Sequence, residues 1–309
     1  MNTPKNHHYI SQCYLKGFKF GKKDRVIAYD HVEGKMFTPN TKNIGSIAYF
    51  NRFRNDFCDE NFIEKGLSNF ESKVAKALKN IKKSLRFEGI DREIILEFIA
   101  MLESRNPIRR SSMKDVLKRS AEINIGMILS SKKMFESQLK RYGTKLPGEK
   151  VEYQEVRDFY ESKKYEIEVP NEKVISHENN IWEKLYGIMH ERKWVLLTPE
   201  ESSGPFITSD SPVCLCWTKP GNEGQHLGHG LKNTGILFPL SPQLMLHGTF
   251  NGLEGTEMVS YQEVKKINMR IIMNSERFIY SNSRKFDYLL KEGNDLSEKN
   301  IEDLMKMKE

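Results

Sequence analysis

Long apolar runs are missing from this sequence. No hydrophobic stretch approaches the ~18 residues that a membrane-crossing helix needs, so a span is not expected. Cysteine is scarce as well. Four cysteines in 309 residues do not make a disulfide framework, and Met1 to Asn6 hold no apolar segment of the signal-peptide kind. A cytoplasmic location with reduced thiols is therefore expected. The chain contains no P-loop, no dinucleotide fingerprint, no G-x-S-x-G elbow and no H-E-x-x-H helix, and those mechanisms lose support. Internal repeats and low-complexity segments are absent too.

What is present is enough to fold. Hydrophobic residues make up 38% and aromatics 10%, which supplies the large side chains a packed core requires. Lys and Arg (49) exceed Asp and Glu (42), giving a net charge of +7 and favouring an anionic partner, nucleic acid being the commonest.

The order of periodicities sets the fold class. Arg25–Tyr29 and Gly34–Phe37 read as two short strands around a turn, and Ile44–Phe53 as an aromatic patch, irregular or strand. Ile63, Leu67, Phe70, Val74, Ala77, Ile81 and Leu85 recur at steps of three and four, predicting a long amphipathic helix. Asp91 is the expected N-cap of a second helix that ends before Pro107. A third is expected over Arg109–Arg141, closed by Gly143 and Pro147-Gly148. Val151–Tyr165 and Asn171–Arg192 supply two more, the latter with Ile181, Leu185, Ile188 and Met189 facing inward. From Trp194 to His247 short apolar runs separated by Pro or Gly read as strands. Ser260 with Glu263 forms a capping box for another helix, Arg277–Tyr280 is a last strand, and Asp295–Lys308 a charged terminal helix. The class predicted is α+β, a helical N-terminal half packed on a strand-rich, mainly antiparallel C-terminal half. It is read as one domain with subregions 1–192 and 193–309.

Polar islands punctuate this pattern. His7 and His8 precede Tyr9 and Gln12, with Tyr14, Leu15 and Phe18 as an apolar footing; imidazoles titrate near neutrality and suit proton transfer or metal ligation. One of the two can equally be a satisfied core residue. Glu64 and Glu71, seven apart, share one side of the first long helix, where carboxylates serve as acid and base, as metal ligands, or simply as a solubilising flank. Arg105, set before Pro107, suits a phosphate through paired hydrogen bonds, or else answers a helix dipole. Ser209 and Asp210 sit at the polar tip of a strand, where a Ser-Asp-Ser-Pro turn also explains itself without chemistry. Cys214 and Cys216 with His226 and His229 lack zinc-knuckle spacing, so a structural zinc is not expected, whereas a divalent cation at the carboxylates is compatible with the residues.

The opening His7-His8-Tyr9, with Gln12, Leu15 and Phe18, resembles a widespread bacterial family, domain of unknown function 4238, except that Ser11 stands where the family usually has proline. The likeness extends through the Glu64/Glu71 helix, Arg105-x-Pro107, Ile207–Pro212 and Phe238–Pro242. It implies a shared architecture and brings no activity. The reading from the residues is a phosphodiester-cleaving enzyme, nuclease-like, in the setting of a toxic effector of bacterial antiviral defence. A histidine and Asp210 would transfer protons, Glu64 and Glu71 orient water or metal, and Arg105 face the phosphate, with Tyr9, Gln12 and Ser209 touching substrate. The alternatives are a non-catalytic nucleic-acid or nucleotide binding module, and an interaction protein whose islands are braces.

Overall fold

The computed structural model describes residues 5–53, 62–142, 152–221, 224–292 and 295–301. A short strand, β1 (Asn6–His8), leads into a one-turn helix, α1 (Gln12–Leu15), and a 3-10 turn through Phe18. Tyr14, Leu15 and Phe18 are fully buried, each such side chain contributing about 1.5–3 kcal/mol. Tyr14 stacks on Phe238 at 5.3 Å between ring centroids, and its hydroxyl lies 2.7 Å from Thr208 Oγ1. The apolar footing thus docks the opening segment. β2 (Ile27–Asp30) and β3 (Lys35–Phe37) form the expected hairpin, with Asp30 Oδ1 accepting the Val32 and Glu33 amides. β4 (Ser46–Ala48) pairs antiparallel with β1, Ile47 opposite His7. Gly45 makes this approach feasible: its φ is +62°, and a Cβ there would come within 3.1 Å of the Ile10 Cβ.

α2 (Phe62–Ser84) buries Val74, Ala77 and Ile81 and packs on α3 (Gly89–Ser104). Asp91 is not the N-cap of α3. Gly89 turns the chain at φ +60°, so the helix starts earlier, with Glu88 in the cap position and Asp91 in the first turn. The single helix expected over 109–141 is two, α4 (Pro107–Ile128) and α5 (Lys132–Tyr142). Pro107 opens α4, where its missing N–H is no loss, and Ser131 Oγ accepts the Met134 amide at 3.3 Å to start α5. The closure expected at Gly143 and Pro147-Gly148 lies outside the described residues. α6 (Tyr153–Glu161) and α7 (Asn171–His190) follow. On α7, Leu185 and Met189 are buried, but Ile181 is exposed and Trp182 packs inward instead, 6.4 Å from the Phe70 ring.

The remaining elements are β5 (Lys193–Pro199), β6 (Thr208–Ser209), β7 (Cys214–Trp217), β8 (Thr234–Ser241), β9 (Leu244–Thr249), β10 (Gly255–Val259), α8 (Tyr261–Asn274), β11 (Phe278–Ser281), β12 (Asp287–Glu292) and β13 (Asp295–Asn300). One sheet runs β10-β5-β9-β8-β7, parallel only at β10–β5; another runs β3-β2-β11-β6 and is antiparallel throughout. The first is covered on both faces, which is why its strands read as continuous apolar runs. Trp194, Leu196, Ile236, Phe238 and Leu246 pack with α1, α2 and α3, while Leu197, Leu237 and Met245 pack with Val264 and Ile271 of α8. The class is α+β, with helices concentrated in the N-terminal half.

Two expectations fail towards the C-terminus. β10, mostly exposed, carries no apolar signal and was not anticipated. Asp295–Asn300 is strand rather than helix, because it pairs residue for residue with β12, whose Tyr288 is buried beside α8; tertiary pairing overrides the helical propensity of a charged segment. The capping box of α8 is present, the Glu263 carboxylate accepting the Ser260 amide at 3.0 Å.

The chain divides into two compact units, Met1–Asn106 with Glu178–Glu309, and Pro107–His177. The second unit is helical and basic: residues 107–142 hold nine Lys and Arg against three Asp and Glu.

Candidate functional site

The site grows from α3's C-terminal end, where Glu103, Ser104, Arg105 and Asn106 are all buried. Buried polar groups need partners: Ser104 Oγ donates to the Met101 carbonyl within α3, while Glu103, Arg105 and Asn106 each reach a different segment of the same unit. Arg105 Nη2 donates to Asn51 Oδ1, and Asn51 Nδ2 in turn donates to Glu64 Oε1. The Asn51 amide donates to His7 Nδ1 at 2.8 Å, and His7 Nδ1 lies 3.6 Å from Glu64 Oε1. His7 Nδ1 thus serves as an acceptor for the backbone of Asn51. The fully buried Asn51 therefore joins three of the sequence-derived residues, His7, Glu64 and Arg105.

His8 points differently. Burial lowers its pKa below the usual 6.5, against the opposing pull of Glu64 and of backbone hydrogen bonds at Lys42 and Thr41. One ring nitrogen stands apart, Nε2. That Nε2 is buried and has no hydrogen-bond partner. Glu71 is pushed the other way. Burial raises its carboxyl above 4.5, opposed by the Ser11 hydroxyl, reinforced by Glu64 and opposed again by Arg105. Ser11 also lies 3.1 Å from Cys13 Sγ, and burial lifts that thiol to about 11.

The strand-tip island joins the same unit through Asn106, whose Nδ2 donates to Ser211 Oγ at 3.1 Å. Asp210 itself is occupied. Oδ1 accepts the Glu276 amide and Oδ2 the Arg277 and Phe278 amides, at 2.8–2.9 Å. Burial raises its pKa while these three donors counter the rise. Ser209, fully buried, accepts the Ser211 amide at 3.1 Å, so it shapes the turn. Tyr9 packs against Phe50, and burial together with Asp210 pushes its phenol well up. Gln12 is half-buried at the start of α1.

A family model described as Protein of unknown function (DUF4238) matches residues 6–285. The chain belongs to this family. The match spans every candidate site residue from His7 to Asp210, and neither curated proteins nor solved structures gave a match.

In this DUF4238 chain the fold gathers His7, His8, Glu64, Glu71 and Arg105 with Ser11 and Asn51, and ties Asp210 and Ser209 to that cluster through Asn106 and Ser211. Asn51, Ser11 and Asn106 were missed by sequence reasoning. The one cue for Asn51 is a small amide set among Tyr49, Phe50 and Phe53, just after Tyr49 takes the left-handed conformation at φ 57°. A second buried pair lies at the same helix end, His229 Nε2 2.6 Å from Glu103 Oε1. Cys214 Sγ donates to the Arg270 carbonyl and Cys216 Sγ to the Gly235 carbonyl, while His226 is exposed. Among the described residues no three His, Cys, Asp or Glu side chains converge as metal ligands. No helix among them is long and apolar enough to cross a membrane.

Proposed function

We propose that the His8–Glu64–Glu71–Arg105 cluster is the active site of an enzyme that cleaves phosphodiester bonds in nucleic acid. The observation that carries this reading is the pairing of two titratable groups that burial shifts towards their uncharged forms. His8, whose Nε2 is buried without a hydrogen-bond partner, is biased towards its neutral form, and Glu71 towards its protonated form. A neutral imidazole can take a proton and a protonated carboxyl can give one, the two services that general base and acid catalysis need. His8 Nε2 takes the proton of the attacking hydroxyl, Glu71 protonates the leaving oxygen, and Arg105 offsets charge that builds on the phosphoryl oxygens. His7, Asn51 and Glu64 position the guanidinium. Asp210, its oxygens engaged by backbone amides, acts as a positioning residue.

The charge of residues 107–142 supports a polyanionic partner, and the free thiols of Cys13, Cys214 and Cys216 support a cytoplasmic setting, in which a toxic effector of bacterial defence would act. The binding-module reading draws on one feature, the internal hydrogen bonding of His7, Asn51 and Asp210. Incubating the chain and its Arg105→Lys variant with labelled single-stranded nucleic acid separates the two. Cleavage by the parent and its loss in the variant are expected; binding by both without cleavage supports the module.

A further inference from the structure

We infer that His229 is a positioning residue of this site, acting through Glu103 on the last turn of α3, which presents Arg105; the inference rests on the nuclease reading above. Stability alone does not explain Glu103. It is 2% exposed and lies in the last turn of α3. An acidic residue there meets the negative end of the helix dipole, and burying it is costly unless a partner is held in place. His229 is that partner, with Nε2 2.6 Å from Oε1 and a side chain only 10% exposed. The imidazole is itself anchored. The fully buried Arg192 donates from Nη2 to the His229 carbonyl at 2.7 Å, and from Nη1 to the carbonyls of Thr234 in β8 (2.8 Å) and Gly248 in β9 (3.1 Å). His229 is thereby tied to two strands of the larger sheet, and its bond to Glu103 passes that anchorage to the helix end.

The pair stands apart from the chemistry. Residues two apart on a helix point about 200° from one another, so Glu103 holds the turn from the side away from the Arg105 side chain. Asn106, which donates to Ser211 Oγ at 3.1 Å, fixes the residue after Arg105, and Asn51 receives the guanidinium. Arg105 is the C-cap of α3, at φ −104° and ψ 13°, so its stem is only as well placed as that last turn. A misplacement of about 1 Å in a group that stabilises a transition state can cost about 10²-fold in rate.

The test compares the whole chain with His229→Leu, which fills space but cannot hydrogen-bond, and with His229→Gln, whose amide nitrogen can take the place of Nε2. Expected in His229→Leu is a fall in kcat on labelled single-stranded nucleic acid of about 10–100-fold, with KM changed by no more than about twofold, because Arg105 answers charge that builds after binding. The NMR resonance of the Arg105 Nε–Hε group, assigned by its loss in Arg105→Lys, should shift in His229→Leu, and His229→Gln should restore both readouts. An unmoved resonance in His229→Leu, or a His229→Gln protein as impaired as His229→Leu, would overturn the inference. If His229→Leu does not fold, His229→Asn, whose shorter amide stops short of Glu103, is read in its place by the same criteria. A parent chain that cleaves nothing would overturn the nuclease reading, and the resonance would then decide the placement of Arg105 by itself.

Discussion

The backbone amide of Asn51 donates to His7 Nδ1 at 2.8 Å, across 44 residues of chain. This bond holds the ring of one histidine of the pair, and the Asn51 side chain then links Glu64 to Arg105. Asn51 thereby couples the opening motif, through its backbone, to two helices, through its side-chain amide.

Removing that amide should be costly. Asn51→Ala takes away the side-chain acceptor of Arg105 Nη2 and the side-chain donor to Glu64 Oε1, while the backbone bond to His7 stays. A stability loss of roughly 1–3 kcal/mol is expected, read from the denaturant midpoint. A midpoint unchanged from the parent would mean that the bridge is not formed in solution.

Glu71 makes stability depend on pH in a definite sense. Its folded-state pKa lies above the ordinary 4.5, so ionising it opposes folding. The contribution is complete below 4.5 and is lost as pH rises through the folded value. Glu71→Gln should flatten this fall, gaining on the parent as pH rises from 5 to 8. Parallel Tm–pH curves for the two proteins would contradict the burial of this carboxyl.

The same shifts set the activity profile. His8 must be neutral to act as base, and its pKa lies below 6.5; Glu71 must be protonated to act as acid, and its pKa lies above 4.5. A bell-shaped dependence of kcat/KM with an optimum on the acid side of neutrality is expected. A rate still rising above pH 8 would exclude these roles.

Asp210 should matter for folding before chemistry. Asp210→Asn turns one acceptor into a donor facing three backbone amides, and hydrogen bonds to a carboxylate contribute about 1.5–3 kcal/mol each. A drop in Tm is expected, with activity per folded molecule retained at low temperature. A folded, fully stable but inactive variant would return Asp210 to the proton-transfer role read from the sequence.

Much of the fold is visible in the residues themselves. The α2 stripe, the β2–β3 hairpin and the Ser260–Glu263 box are local patterns, and local physics forms them. The failures are non-local. β13 exists because β12 supplies a partner, and the break between α4 and α5 depends on a serine cap within a helix-permissive stretch. The site divides along the same line. His8, Glu64, Glu71 and Arg105 stand out as polar residues beside apolar anchors. Asn51 does not, since its importance lies wholly in the three side chains that folding brings to it. Asp210 shows the converse: a carboxylate at a strand tip looks the same in sequence whether it faces a ligand or three amides.

The central claim is that His8 is the base of a phosphodiester-cleaving site. It is tested most directly by single-turnover cleavage of labelled single-stranded nucleic acid by the parent chain and by His8→Gln, at matched Tm. Expected is a loss of about 10²–10⁴-fold in the variant with its fold intact. Equal rates in the two proteins would contradict it.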